Sequence, residues 1–185
     1  MPGKRKSIRL MGYDYAQEGA YYVTICVGKR TCRGGSRAAL IKPNHNVFGH
    51  IENGKMILND IGKIIHDSWL WLANQYNYID LDEFIVMPNH LHGIVFLTGV
   101  IGHGQGQGAS RGAPTTLRKP LGQLIGAFKT VSTKQINIIR NIPGNRLWQR
   151  NFYEHIIRNE SDLNRIREYI INNPANWKKD SYYFE

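Results

Sequence analysis

The spacing of apolar residues changes several times along the chain, and each change marks an element. The run Tyr21-Tyr-Val-Thr-Ile-Cys-Val27 is dense in β-branched and aromatic side chains and predicts a strand. A turn-rich stretch follows from Gly28 to about Asn46, broken by Gly34-Gly35 and Pro43. Val47 to Ile51 predicts a short edge strand, and Asn53-Gly54 is a hairpin signal. Asn59 or Asp60 can cap the next segment. Ile61, Ile64, Ile65, Trp69 and Leu72 then recur at helical spacing, which predicts a helix to about Asn74.

A second β block runs from Tyr78 to Pro88 and resumes from His90 to Leu97, with Pro88-Asn89 as the turn of a hairpin. Residues 98–116 are glycine-rich and without periodicity, so a flexible loop is expected. From Leu117 to about Arg140 the set Leu121, Leu124, Ile125, Phe128, Val131, Ile136 and Ile139 reads as helical, and Pro143-Gly144 stops it. Leu147 to Ile157 predicts a last strand and Glu160 to about Asn172 a last helix. There is no internal repeat. The order of elements gives an α+β fold, helices on an antiparallel sheet, in a single domain over 1–185. To that domain belong a basic N-terminal arm, about 1–10, and the Gly-rich loop, about 98–116.

The loop's Gly104-x-Gly106-x-x-Ala109 imitates a dinucleotide fingerprint. It lacks both a helix directly behind it and an acidic residue about 20 positions on, and no P-loop lysine motif occurs, so a nucleotide fold is excluded.

Charge narrows the partners. The chain of 185 residues carries 24 Lys+Arg against 14 Asp+Glu, a net charge of +10. With a pI of about 9.7, an acidic polymer is favoured over a small neutral ligand. Ten Tyr, six Phe and four Trp stand among these cations, and stacking plus cations is what unpaired bases and phosphates require. No apolar run approaches the roughly 18 residues of a membrane span. The start Met-Pro-Gly-Lys-Arg-Lys lacks the apolar stretch of a signal peptide. Cys26 and Cys32 have no metal-type spacing, so disulfide scaffolds and Cys-rich zinc folds are excluded and a cytoplasmic protein with free thiols is expected.

The candidate chemistry lies in Met87-Pro-Asn-His90-Leu-His92-Gly-Ile-Val-Phe96. On a strand, His90 and His92 point to one face with Ile94 and Phe96, while Leu91, Val95 and Leu97 take the other. Two adjacent imidazoles can hold one divalent cation, although His-x-His alone is more often an ordinary strand pair. On the last helix, Leu163, Ile166 and Ile170 form an apolar stripe, and Tyr169 and Asn173 fall one turn apart at its edge. A tyrosine there more often completes a core, but its hydroxyl could also touch the sheet, with an amide oxygen as an extra metal ligand. Pro174 disfavours helical geometry at Asn173.

Three segments together match something specific. The His90-Leu-His92 strand, the stretch Trp148-Gln-Arg-Asn-Phe-Tyr-Glu-His-Ile-Ile-Arg-Asn159 and the ending Glu168-Tyr-Ile-Ile-Asn-Asn-Pro174 resemble the REP-associated tyrosine transposases, members of the HUH superfamily of single-tyrosine, insertion-sequence-type transposases. The resemblance runs from about Ser7 to Trp177 and includes the strand Tyr22-Val-Thr-Ile-Cys26. It implies an RRM/ferredoxin-like sheet carrying the histidine pair, with a tyrosine delivered from a C-terminal helix. By position, His90 and His92 become metal ligands, Tyr169 the nucleophile and Asn173 the third ligand. Superfamily relatives place glutamine at that last position, and asparagine is one methylene shorter. Tyr153, Glu154 and His155 also match a family segment and read as structural or DNA-contacting.

The implied activity is metal-dependent nicking and rejoining of single-stranded DNA at hairpin-forming repeats through a 5′-phosphotyrosine. Mg²⁺ or Mn²⁺ is expected, because an open site of N and O ligands with phosphate oxygen suits a hard cation. Lys4, Arg5, Lys6 and Arg9 form a basic arm, and Lys119, Lys129 and Lys134 mark a basic helix, all as candidate nucleic-acid contacts. The partner is single-stranded or hairpin DNA, and monomer and homodimer both stay open. Two alternatives remain: a non-catalytic module binding the same nucleic acid, and a hydrolase using metal-activated water, which would not need Tyr169.

Overall fold

The computed structural model describes residues 10, 12–28, 46–99 and 118–183. The candidate residues Lys4, Arg5, Lys6 and Arg9, and the Gly-rich segment beyond residue 99, lie outside the described residues.

Strand β1 (Gly19–Cys26) is followed by a hairpin of β2 (Gly49–Glu52) and β3 (Lys55–Leu58), then helix α1 (Asp60–Gln75). Strands β4 (Ile79–Val86) and β5 (His90–Leu97) precede α2 (Leu121–Ile139), β6 (Tyr153–Ile157), α3 (Glu160–Asn172) and a 3₁₀ turn at Trp177–Lys179. Four strands form one antiparallel sheet in the order β4-β5-β1-β6, and β2-β3 stands apart from it. Without that hairpin the chain reads β1-α1-β4-β5-α2-β6, the split βαβ arrangement of RRM and ferredoxin-like domains.

Both faces of the sheet are covered. Tyr21, Val23 and Ile25 of β1, with Leu91, Val95 and Leu97 of β5, pack beneath α1 and α2 through Ile65, Trp69, Leu72, Leu124 and Phe128. The residues of opposite parity, Ala20, Tyr22 and Ile94, join Ile157 under Leu163, Ile166 and Ile170 of α3. Double coverage explains why β1 reads as an almost continuous apolar run and not as an alternation. It also leaves a limited space at the end of the α3 face, and polar residues occupy it.

Most predicted elements stand within a few residues of their expected bounds, with four differences. Lys55–Leu58 is a strand, paired across Asn53 (φ 50°) and Gly54 (φ 73°), whose two positive φ values make a tight hairpin turn. The long helix starts at Leu121, after an extended Pro120, so Lys119 precedes the helix. The last strand starts only at Tyr153, because Trp148 pairs with Val27 in an isolated bridge and the chain then bends. Lys129 Nζ donates at that bend to the carbonyls of Gln149 (2.9 Å) and Asn151 (3.1 Å), which therefore do not serve a ladder. Asn173 is right-handed helical (φ −58°, ψ −43°) despite Pro174, and its amide takes the Ile170 carbonyl at 3.3 Å that a residue at 174 would otherwise use. Among the described residues no helix is long and apolar enough to cross a membrane.

Candidate active site

Strand parity sends His90 and His92 to the α3 face, where both are buried. The antiparallel register sets Thr24 opposite His92 and Cys26 opposite His90. Their Nε2 atoms face each other at 2.8 Å. Each ring is also held from behind. His90 Nδ1 lies 2.8 Å from Asn89 Oδ1, and Asn89 Nδ2 donates to the Tyr182 carbonyl at 2.8 Å, which fixes the amide and makes His90 Nδ1 the donor. His92 Nδ1 meets the Tyr22 hydroxyl at 2.7 Å and Thr24 Oγ1 at 2.9 Å. With the His90 proton on Nδ1, its Nε2 accepts from His92. A cation taking a lone pair from each Nε2 would need the His92 proton on Nδ1, where two hydroxyl oxygens are placed to accept it. Burial holds the pKa of both imidazoles below the usual histidine value, so both are neutral at pH 7, the form that ligates metal.

Helix α3 and the segment after it close the site. Asn159 caps the helix through its side chain, and the Leu163, Ile166 and Ile170 stripe sets its rotation. Tyr169 is then carried to the edge of the stripe, 45% exposed, with its hydroxyl 3.5 Å from His92 Nε2 and its ring 5.3 Å from the imidazole. Burial of the phenol, with the nearby Asp180 charge, raises its pKa, so the hydroxyl is protonated at neutral pH. Asn173, one turn on, is buried, and its Oδ1 has no hydrogen-bond partner.

Asp180 is the group the sequence did not disclose. Beyond the 3₁₀ turn it folds back so that Oδ2 accepts from Asn173 Nδ2 at 3.0 Å, Oδ1 accepts from the Tyr182 amide at 2.7 Å, and His92 Nε2 lies 4.0 Å away. Burial alone would raise its pKa; His92, the Tyr182 amide and Asn173 outweigh burial and bring it to about 2. His90, His92 and Asp180 each offer a donor atom within 4.8 Å of the others. Trp177 and Tyr182 pack on His90 at ring distances of 5.9 and 4.7 Å. Sequence pattern could have found Tyr22 and Thr24, which share strand parity opposite a histidine pair. Asp180 follows an aperiodic stretch and carried no signal.

The structure brings His90, His92, Tyr169 and Asn173 together and separates the candidate lysines. Lys119 lies by the start of α2 against the Tyr76 ring, its ammonium 5.0 Å from the centroid and 3.2 Å from the hydroxyl. The thirteen helical steps of about 1.5 Å from Leu121 to Lys134 alone span roughly 20 Å. Lys129 is committed to the two carbonyls named above, and burial pulls its pKa to about 8. Lys134 is exposed. Tyr153 is 45% exposed and edges the Tyr22 ring at 6.2 Å, Glu154 is buried, and His155 meets Asp162 at 2.7 Å.

A ferredoxin-like sheet with a covering C-terminal helix and a histidine pair on one central strand defines an α+β protein of the RRM/ferredoxin-like class. A solved REP-associated tyrosine transposase bound to a REP hairpin shares this fold, with a TM-score of 0.51 over 94% of this chain and 74% of that one, at 16% identity. No family model matches the sequence. The chain belongs to one family with an uncharacterized protein of Haemophilus influenzae, 36% identical over 185 residues, or 98% of this chain and 94% of that protein.

Proposed function

We propose that the protein is a transposase-type enzyme that nicks and rejoins single-stranded DNA at hairpin-forming repeats, with Tyr169 as the nucleophile. The observation that carries this is the half-exposed Tyr169, whose hydroxyl lies 3.5 Å from one of two buried imidazole nitrogens that face each other at 2.8 Å. Solvent-facing exposure lets the phenol meet a phosphodiester, and the buried pair supplies neutral nitrogen donors behind it.

The residues fit a divalent cation. His90 and His92 would hold it with Asp180, and the unpartnered Asn173 Oδ1 is a buried oxygen whose desolvation, costing about 1–3 kcal/mol, ligation would relieve. When bound, an ion of the Mg²⁺ or Mn²⁺ kind polarises the scissile phosphate and offsets charge on its oxygens. The Tyr169 oxygen attacks phosphorus and the bond to the 3′ oxygen breaks. The 5′ phosphate stays on Tyr169, the phenolic proton is released to solvent, and the departing 3′ oxygen takes up a proton from solvent to become a hydroxyl. Attack by a 3′-hydroxyl on the phosphotyrosine reverses these steps and rejoins a strand without ATP. Asn89 keeps His90 on the tautomer with an Nε2 lone pair, and Tyr22 and Thr24 stand ready to accept the His92 proton at Nδ1 when its Nε2 lone pair is engaged. Lys134 and the arm residues Lys4, Arg5, Lys6 and Arg9 are the phosphate contacts in this reading. Incubation with a single-stranded oligonucleotide and Mn²⁺ tests it: a covalent protein–DNA adduct that chelator prevents is expected. Binding without any adduct would identify a non-catalytic module, and cleavage without an adduct a water-dependent hydrolase.

A further inference from the structure

A groove of about 1100 Å³ lies between the second half of α2 and the segment 143–150. Its walls hold Lys129, Lys134, Arg146 and Arg150, and among the described residues no carboxylate lines it. Lys129 fixes the wall by capping the Gln149 and Asn151 carbonyls, and Asn137 Nδ2 does the same at the Asn145 carbonyl, 2.9 Å away. Lys134, Arg146 and Arg150 are exposed and have no carboxylate partner among the described residues. Such a cationic groove calls for a polyanion.

The lining also discriminates between forms of nucleic acid. Unpaired bases need aromatic faces to stack on. Trp148 is the one aromatic residue here; it is 8% exposed, and its indole N–H is committed to Ser132 Oγ at 3.0 Å. The groove therefore offers cations, amides and hydroxyls for phosphates and sugars, with nothing for splayed bases. Its position ties it to the candidate active site. Trp148 bridges Val27, the Gln149 amide donates to the Cys26 carbonyl at 2.9 Å, and Cys26 stands opposite His90 in the register. The wall is thus fastened to the end of the sheet that holds the histidine pair.

We propose that this groove cradles the sugar–phosphate backbone of the paired stem of a DNA hairpin, while the unpaired flank reaches Tyr169. The proposal rests on the DNA-processing function proposed above. Guanidinium groups at 146 and 150 suit bidentate phosphate contacts, and their removal leaves the fold-fixing groups Lys129 and Asn137 in place.

The test uses the full chain with both arginines replaced, Arg146→Gln and Arg150→Gln, and its folding checked by circular dichroism. Three DNA probes are compared with wild type: a stem-loop with an unpaired flank, the stem-loop alone, and a short unpaired oligonucleotide. Affinity for both stem-containing probes should fall about tenfold or more. The slope of log affinity against log salt should shrink by about two, since each lost phosphate contact removes roughly 0.9. Covalent adduct formation on the short unpaired oligonucleotide should persist. Unchanged stem affinity would overturn the proposal, as would an equal loss on all three probes, which would mark a general field effect. Wild-type protein that binds hairpins but forms no adduct would contradict the proposed chemistry and leave the groove standing. Wild-type protein that forms adducts, with stem binding indifferent to both arginines, would contradict the groove alone.

Discussion

At the scale of single residues, the candidate site is a set of buried groups that each need another. Asn89 fixes the tautomer of neutral His90, His92 donates to His90 while Tyr22 and Thr24 meet the other His92 nitrogen, and Asp180 owes its low pKa to His92, the Tyr182 amide and Asn173. Tyr169 differs in being half exposed, and the contact of its hydroxyl with His92 Nε2 is long, 3.5 Å. Tyr169→Phe should therefore leave stability within about 0.5–1 kcal/mol of wild type by urea denaturation. In the same variant, adduct formation should fall by at least roughly a thousandfold. A variant that cleaves normally would remove Tyr169 from the chemistry. Asp180→Asn retains shape and removes charge. Mn²⁺ titration by calorimetry should show affinity weakened about 10- to 100-fold, and an unchanged affinity would take Asp180 out of the ligand set. The histidines were legible because strand parity is strict, and Tyr169 and Asn173 because helical spacing puts i and i+4 on one face. Asp180 was not, since its place depends on how an aperiodic segment folds back over His90.

At the scale of elements, β5 serves two cores at once. Its even positions build the candidate site, and its odd positions support α1. Gly93 is the tightest point: a Cβ there would lie 2.6 Å from Trp69 Cζ2 and 3.2 Å from Phe84 Cβ, and the buried Trp69 ring has little freedom to yield. Gly93→Ala should cost about 1–3 kcal/mol of stability, measured by denaturant midpoint. A neutral result would mean that the sheet and α1 are looser than this packing implies. Periodicity located the three α-helices of the described residues, and β-branched runs located the main strands. What it could not locate were interruptions made by single side chains, such as the bend that Lys129 fixes before Tyr153. Four-residue strands such as β3, whose alternation is brief, were also beyond it.

For the whole molecule, the net charge is +10, and among the described residues its candidate cations stand in different places. Lys119 packs on Tyr76, while Lys134 faces a groove whose wall is tied by backbone to the strand end that pairs with His90. The paired imidazoles are buried and Tyr169 is half exposed, so in the proposed reaction a scissile phosphate meets the phenol from the solvent side. A regular duplex does not splay its backbone toward such a point. A hairpin with an unpaired flank should be cut in the flank, and a blunt duplex of the same sequence should stay intact on a sequencing gel. Efficient duplex cleavage would indicate another kind of nuclease. Tyr22, Tyr153, Tyr169 and Tyr182 all lie close to the paired imidazoles or to one another, so the central claim is a choice among tyrosines. Proteolysis of the covalent adduct followed by mass spectrometry makes that choice directly. The nucleotide should be found on the peptide containing Tyr169, and its presence on Tyr153 or Tyr182 instead would contradict the mechanism.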